Sequence, residues 1–137
     1  MKIAFIFLAL FHFVIPVQEN EPSEYNIYSA SLCTGDQFSF GNKSMKFKEV
    51  VSDSRCPKNV TCVWAGEVKV LVEFFENGVY KGDKIISNSG ISIAEFFEAE
   101  KLDIMGFSVS PYPVTARKIK PEEYTVNIKV SERLETD

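Results

Sequence analysis

The residues best suited to chemistry are concentrated in residues 53–67, which read DSRCPKNVTCVWAGE and include two of the three cysteines and the only tryptophan. Cys56 and Cys62 enclose five residues, and such thiols pair when a protein reaches an oxidising compartment. Pro57 presets one backbone angle of the enclosed segment, and Asn59 tolerates a turn. We therefore predict a Cys56–Cys62 disulfide that closes a tight loop ahead of the strand-like run that follows.

The third cysteine, Cys33, leaves the pairing open, because three cysteines allow three single pairings and spacing alone does not choose between them. Its strand-like surroundings favour a buried free thiol, with an intermolecular bridge as the alternative. There is no CxxC spacing to suggest a redox site. Three cysteines without histidine also fall short of the usual four zinc ligands. We predict no metal site and no cofactor.

The other residues of this segment favour a structural role over a binding role. Trp64 is expected to pack beside the disulfide in the core, and Gly66 to permit a bulge or a close backbone approach. Asp53 and Arg55 flank the disulfide and are expected to pair with each other or to cap nearby backbone groups. The candidate residues for a binding site here and in the downstream Pro-Tyr-Pro segment are Asp53, Ser54, Arg55, Pro57, Lys58, Trp64, Gly66 and Tyr112.

The N-terminus suggests export. Residues 3–17 are apolar except for His12, and this run is shorter than the about 20 residues that a membrane span requires. We predict a signal peptide at residues 1–18, a flexible leader at 19–24 and one domain at 25–137. The mature protein would be secreted or periplasmic, without a stable membrane span.

Loss of the signal peptide would remove the only histidine, His12. Ser-His-Asp triads, Cys-His dyads and histidine-based metal sites are then excluded. The formal net charge of −4 argues against nucleic-acid binding. We predict that the protein is not an enzyme, since its acidic residues form no motif that would separate an acid from a base. The acidic residues considered for a carboxylate-based hydrolase are Glu95, Glu98, Glu100, Asp103, Glu122 and Glu123.

Alternating apolar residues predict an all-β fold. The clearest runs are residues 67–75 and 124–130, and Asn77-Gly78 predicts a two-residue hairpin turn after the first of them. Residues 90–101 fit either a strand or a short helix. The Pro-Tyr-Pro segment at 111–113 must lie outside a central sheet ladder. About seven or eight short strands indicate an antiparallel β-sandwich or a small barrel. Single-face patterns are predicted for Met105, Phe107 and Val109, and for Tyr124, Val126, Ile128 and Val130.

Two stretches carry a family resemblance: FKEVVSDSRCPKNVTCVWAGEVKVLV and, downstream, VSPYPVTARKIKPEEYTVNIKV. Across about residues 35–130 the chain resembles small exported bacterial domains, many of them lipoproteins and largely uncharacterised. The matching residues are 53–57 and 62–66. The chain departs from the pattern in lacking an obvious lipid-attachment cysteine. The resemblance implies export and a β-rich fold, and it supplies no activity.

The function we predict is that of a non-enzymatic binding or accessory domain. Its contacts would lie on the loop of residues 53–62 and on the Pro-Tyr-Pro segment, and its partner would be a protein or a small ligand. The alternative is an inhibitor of a secreted protease that presents Lys58 and Asn59 on a disulfide-braced loop.

Overall fold

The fold is an antiparallel β-sandwich, seen in a computed structural model that describes residues 24–99 and 101–134. The predicted signal peptide and residues 19–23 of the predicted leader lie outside the described residues. The all-β prediction is confirmed, and the two separate sheets select the sandwich over the barrel. The strands are β1 (Tyr25–Cys33), β2 (Gln37–Phe40), β3 (Lys43–Asp53), β4 (Val68–Glu76), β5 (Val79–Ile86), β6 (Ile91–Ser92), β7 (Leu102–Ser110) and β8 (Thr125–Arg133).

Each sheet has four strands. One has the order β1-β8-β7-β6 and the other the order β2-β3-β4-β5, with antiparallel pairing throughout. Their inner faces form the core because alternate side chains of each strand point inward. The alternation predicted for β4 and β8 is confirmed. The buried residues of these two runs are Val68, Val70, Val72, Phe74, Tyr124, Val126, Ile128 and Val130.

The Asn77-Gly78 turn joins β4 to β5 as predicted. Glu76 pairs with Val79 across it, so the loop has two residues. The φ angles are 51° at Asn77 and 78° at Gly78. Positive φ at both positions is the requirement of a type I′ turn, whose twist matches that of the strands it joins.

The pattern predicted for β7 is wrong at Met105, whose side chain is exposed. The β7–β8 register shifts between Ile104 and Gly106. This bulge reverses the side-chain alternation, so Ile104 before it and Val109 after it are both buried.

Residues 90–101, predicted to form either a strand or a short helix, contain a short piece of each. The strand β6 has two residues, and one turn of 3₁₀ helix, Ala94–Phe96, follows it. Ile93 and Phe97 belong to the core, and Phe96 stacks on Phe74 with ring centroids 4.5 Å apart. No helix in residues 24–99 and 101–134 has the length and apolar character needed to cross a membrane.

Cys33 is a free thiol, but the prediction that it is buried is wrong. It ends β1, where Leu32 points into the core and the next side chain therefore points outward. Its Sγ atom lies 4.0 Å from the Thr125 hydroxyl on β8.

Candidate functional site

The connection between β3 and β4, residues 54–67, contains the Cys56–Cys62 disulfide and is called here the stapled loop. The two cysteine Cα atoms are 5.9 Å apart. Within the ring, the Val60 N–H donates to the Pro57 carbonyl over 3.3 Å, which closes a turn. The predicted disulfide is therefore confirmed, together with the turn inside it.

The stapled loop is docked onto the Pro-Tyr-Pro loop, residues 111–115, which follows β7. The Lys58 N–H donates to the Pro113 carbonyl over 3.2 Å. The Asn59 amide is paired twice with Thr115, whose N–H donates to Asn59 Oδ1 over 3.1 Å and whose hydroxyl accepts from Asn59 Nδ2. The two segments that sequence reasoning singled out thus form one continuous surface.

Arg55 joins the two sheets at this end of the sandwich. Its Nε and Nη2 atoms donate to the two Asp53 carboxylate oxygens over 2.8 and 2.7 Å. Nη1 donates to the Val109 carbonyl over 2.7 Å, and Nη2 also donates to the Pro111 carbonyl over 3.0 Å. Both charged side chains are only 10% exposed. Arg55 and Asp53 therefore pair with each other and also satisfy backbone groups, so both predicted roles occur together.

Tyr124 completes this network by donating its hydroxyl to Asp53 Oδ2 over 3.0 Å. Burial raises the pKa of the Asp53 carboxyl, but the hydrogen bonds and charge of Arg55 lower this pKa by a larger amount. The net pKa of Asp53 is therefore below the ordinary value. Desolvation and the hydrogen bond to Asp53 raise the pKa of Tyr124. The hydrogen bond to Asp53 raises the pKa of Arg55, against the effect of its burial. All three groups therefore keep one charge state around neutral pH, as expected for a structural clamp.

Tyr112 gives the Pro-Tyr-Pro loop its aromatic surface. The Arg55 guanidinium carbon lies 5.0 Å from the ring centroid, and the Lys58 ammonium lies 5.6 Å from it. Both cations are within cation–π range. The ring is partly exposed, and the contacts hold it against the base of the stapled loop.

Gly66 lets the stapled loop fold back on itself. Its φ angle is +66°, and a Cβ atom there would lie 1.8 Å from the Ser54 carbonyl oxygen. Beside it, the Ser54 N–H donates to the Glu67 carbonyl over 2.8 Å, and the Ser54 hydroxyl accepts from the Glu67 N–H over 3.0 Å. The predicted close backbone approach is confirmed.

Trp64 is not in the core, and the prediction that it packs beside the disulfide is wrong. Its side chain is 81% exposed, and that of the adjacent Val63 is 90% exposed. The Cys56 N–H donates to the Ala65 carbonyl over 2.9 Å, and the disulfide joins Cys56 to Cys62. Val63 and Trp64 therefore lie between two points of the chain that are both fixed to Cys56. Core volume is filled instead by phenylalanines that include Phe40, Phe47 and Phe74.

The predicted site residues separate into two groups. Lys58, Trp64 and Tyr112 have exposed side chains. The other five take part in the contacts that shape and hold the loops: Asp53, Ser54, Arg55, Pro57 and Gly66. Sequence reasoning missed Val63, which reads as part of the strand-like run before β4. Among the described residues, no group of three or more His, Cys, Asp or Glu side chains is placed to hold a metal ion.

In comparisons with known proteins, no family model, no curated protein and no solved structure matches the chain.

We expect the Cys56→Ser/Cys62→Ser double variant to lose about 2 kcal/mol of unfolding free energy, because a short covalent ring restricts the unfolded chain. Urea denaturation measures the loss. Reduction of the unmodified protein should lower its stability by the same amount. Cys33→Ser is the matched control and should change stability by less than about 0.5 kcal/mol, as expected at an exposed site. Equal stability of the double variant and this control would contradict a stabilising disulfide.

Proposed function

We propose that the protein is an exported, non-catalytic binding domain that contacts a partner protein through Val63 and Trp64. The observation that carries this proposal is their almost complete exposure, 90% and 81%, on a loop that is otherwise held in place. Tryptophan is enriched among the residues that dominate binding energy at protein interfaces. A large apolar pair turned toward solvent is therefore suited to fill a pocket on a partner.

The rigidity of the stapled loop that carries Val63 and Trp64 favours binding. The disulfide closes the ring, Arg55 fastens its base to the opposite sheet, and Asn59 fastens it to the Pro-Tyr-Pro loop. A loop that is ordered before binding loses little conformational entropy when the complex forms. Much of the contact energy of Trp64 would then contribute to affinity.

The shape of the site favours a protein over a small ligand. Binding sites for small molecules are concave and enclose most of the ligand. Val63 and Trp64 are instead almost fully exposed on the stapled loop. Lys58 on the same loop and Tyr112 on the Pro-Tyr-Pro loop are exposed as well. An exposed apolar pair on a fixed loop matches one half of a protein–protein contact, in which the partner provides the cavity.

The protease-inhibitor alternative has less support from the geometry. Lys58 lies inside a turn, its N–H donates to Pro113, and its ammonium rests over Tyr112. A segment that adds to a partner as an extended strand must offer free backbone groups. In this segment the Lys58 N–H is already donated to Pro113 and the Val60 N–H to Pro57.

Export is supported by three features: the apolar N-terminal run, the resemblance to exported bacterial domains, and the Cys56–Cys62 disulfide. Disulfides of this kind persist in oxidising compartments such as the periplasm and the cell exterior. We propose that the protein acts in one of these compartments.

The proposal is tested with a photo-crosslinking amino acid at position 63, introduced into the protein in its native host. We expect a discrete adduct with one partner protein. Val79 is the matched control, since it is an exposed valine at the β4–β5 hairpin, at the other end of β4 from the stapled loop. Adducts formed equally from positions 63 and 79 would contradict a specific contact at Val63.

With that partner purified, Trp64→Ala should weaken binding about 30-fold, which corresponds to the about 2 kcal/mol expected of an interface hot spot. Isothermal titration calorimetry measures the change. The thermal stability of the variant should remain unchanged, because Trp64 is exposed. Lys58→Ala should change affinity by less than about threefold. Loss of binding in Lys58→Ala, with Trp64→Ala unaffected, would favour the inhibitor instead.

A further inference from the structure

The strand β1 is an open sheet edge with little of the protection that such edges usually have. At its last residue a backbone group does have another partner, since the Cys33 N–H donates to the Asp36 carboxylate over 2.9 Å. In the described part of the chain it pairs with β8 on one side only. Its nine residues, YNIYSASLC, include no charge and no proline. Its register with β8 runs without a shift from Tyr25 to Cys33. Long, regular and uncharged edges are templates for pairing with another strand.

The other three sheet edges are protected. The edge strand β2 has four residues, and β6 has two. The edge strand β5 carries Lys81, Asp83 and Lys84, and its pairing with β4 is interrupted by a register shift. Short edges, charges and bulges are the features by which natural sheets avoid edge-to-edge association. Among these four sheet edges, β1 is the one whose own residues have none of these three features.

We propose that β1 pairs in antiparallel fashion with β1 of a second copy of this chain, with Ser29 at the two-fold axis. The two four-stranded sheets would then form one continuous eight-stranded sheet. This interface does not involve the stapled loop, so the inference stands independently of the proposed function.

The side-chain pattern of β1 is compatible with this register. Ile27, Ser29 and Ser31 point outward, whereas Ala30 and Leu32 pack toward the core. When Ser29 lies opposite its own copy, odd-numbered residues pair with odd-numbered residues. Both core faces then lie on the same side of the joined sheet, whereas a shift of one residue would place them on opposite sides.

A second copy fits this edge because the edge is self-complementary. A two-fold axis pairs each residue with one from the same strand, so the absence of charge in β1 means that no like-charged side chains of the two β1 strands face each other. Ile27, 58% exposed, would lie opposite Ser31 of the partner subunit. The Cys33 end of β1 is the end nearest the stapled loop, so antiparallel pairing would place the two stapled loops at opposite ends of the dimer.

The test is sedimentation velocity on the protein as cells produce it, carrying Cys33→Ser so that disulfide-linked dimers do not contribute. We expect a reversible monomer–dimer equilibrium. Adding Ser29→Lys should raise the dimer dissociation constant at least about tenfold, because two lysines then face each other across the axis. Ser39→Lys is the matched control on the edge strand β2 and should leave the dimer unchanged. Circular dichroism verifies that both variants fold.

A second measurement tests the register. Directly opposed residues of antiparallel strands have Cα atoms about 4.5–5.5 Å apart, within the range that a disulfide spans. In the Cys33→Ser background, Ser29→Cys should therefore form a covalent dimer under mild oxidation faster than Ser39→Cys. The proposal would be overturned by a protein that stays monomeric at the highest attainable concentration. It would equally be overturned by a dimer that resists Ser29→Lys, or by equal crosslinking of the two cysteine variants.

Discussion

Replacement of Arg55 by alanine is expected to lower the free energy of unfolding by about 3 kcal/mol, as found when one member of a buried ion pair is removed. At pH 7 the Asp53 carboxylate, 10% exposed, would lose both bonds from the guanidinium while it is still charged. The Val109 and Pro111 carbonyls would lose their Arg55 donors as well. Urea denaturation measures the loss.

The matched control is Arg117→Ala, which also removes an arginine that is paired with a carboxylate. The Arg117 side chain is 57% exposed and contacts Glu123 at the surface. Exposed ion pairs contribute little, so the loss should stay below about 1 kcal/mol. Similar losses in the two variants would show that the Arg55 network does no more than a surface pair.

The pH dependence of stability should show that Asp53 is the group that loses its partner in Arg55→Ala. Its folded pKa lies below the ordinary value because the contacts with Arg55 outweigh the opposing effect of burial. Its stabilising contribution is therefore complete above the unfolded pKa of about 3.9 and is lost as the pH falls through the folded pKa. In Arg55→Ala, burial of the carboxyl would favour the protonated form. The difference in stability between the two proteins should then shrink as the pH falls from 7 toward 3.

The fold could be predicted wherever a strand alternates without interruption. Every second residue is apolar or aromatic over residues 68–74 of β4 and over residues 124–130 at β8, and these strands are interior strands of their sheets. The exception in β7 has a local cause. The bulge near Met105 inserts one residue, and its position is set by pairing with β8, which a single-strand pattern does not contain.

The candidate site could be predicted only where its contacts are close in sequence. The Cys56–Cys62 ring and the Asp53–Arg55 pair join residues within six positions of each other. The carbonyls that accept from Arg55 lie on β7 at Val109 and on the Pro-Tyr-Pro loop at Pro111. The Tyr124 hydroxyl directly precedes β8, so all three contacts depend on how the two sheets pack. The exposure of Trp64 could not be predicted for the same reason. Its residue type suggests a core position, whereas its exposure depends on a backbone contact across the loop.

Gly66→Ala is the second substitution with a large expected effect, and we expect it to lower the free energy of unfolding by about 3–5 kcal/mol. Two costs combine. A residue with a Cβ atom is strained by about 1–2 kcal/mol in the left-handed region that Gly66 occupies. The new methyl group would also lie 1.8 Å from the Ser54 carbonyl oxygen, a backbone atom that cannot rotate away. Relief would require the paired segments at Ser54 and Glu67 to separate, which would break their hydrogen bonds.

Gly41→Ala separates these two costs, because Gly41 has nearly the same backbone angle, φ +64°, and an added Cβ there meets no atom within 4 Å. It should lose only the about 1–2 kcal/mol of backbone strain. The difference between the two variants, measured by urea denaturation, then reports the clash with Ser54 alone. Equal losses would mean that the stapled loop yields easily at its base. A base that yields so easily would not hold Val63 and Trp64 in the fixed position that the proposed binding role requires.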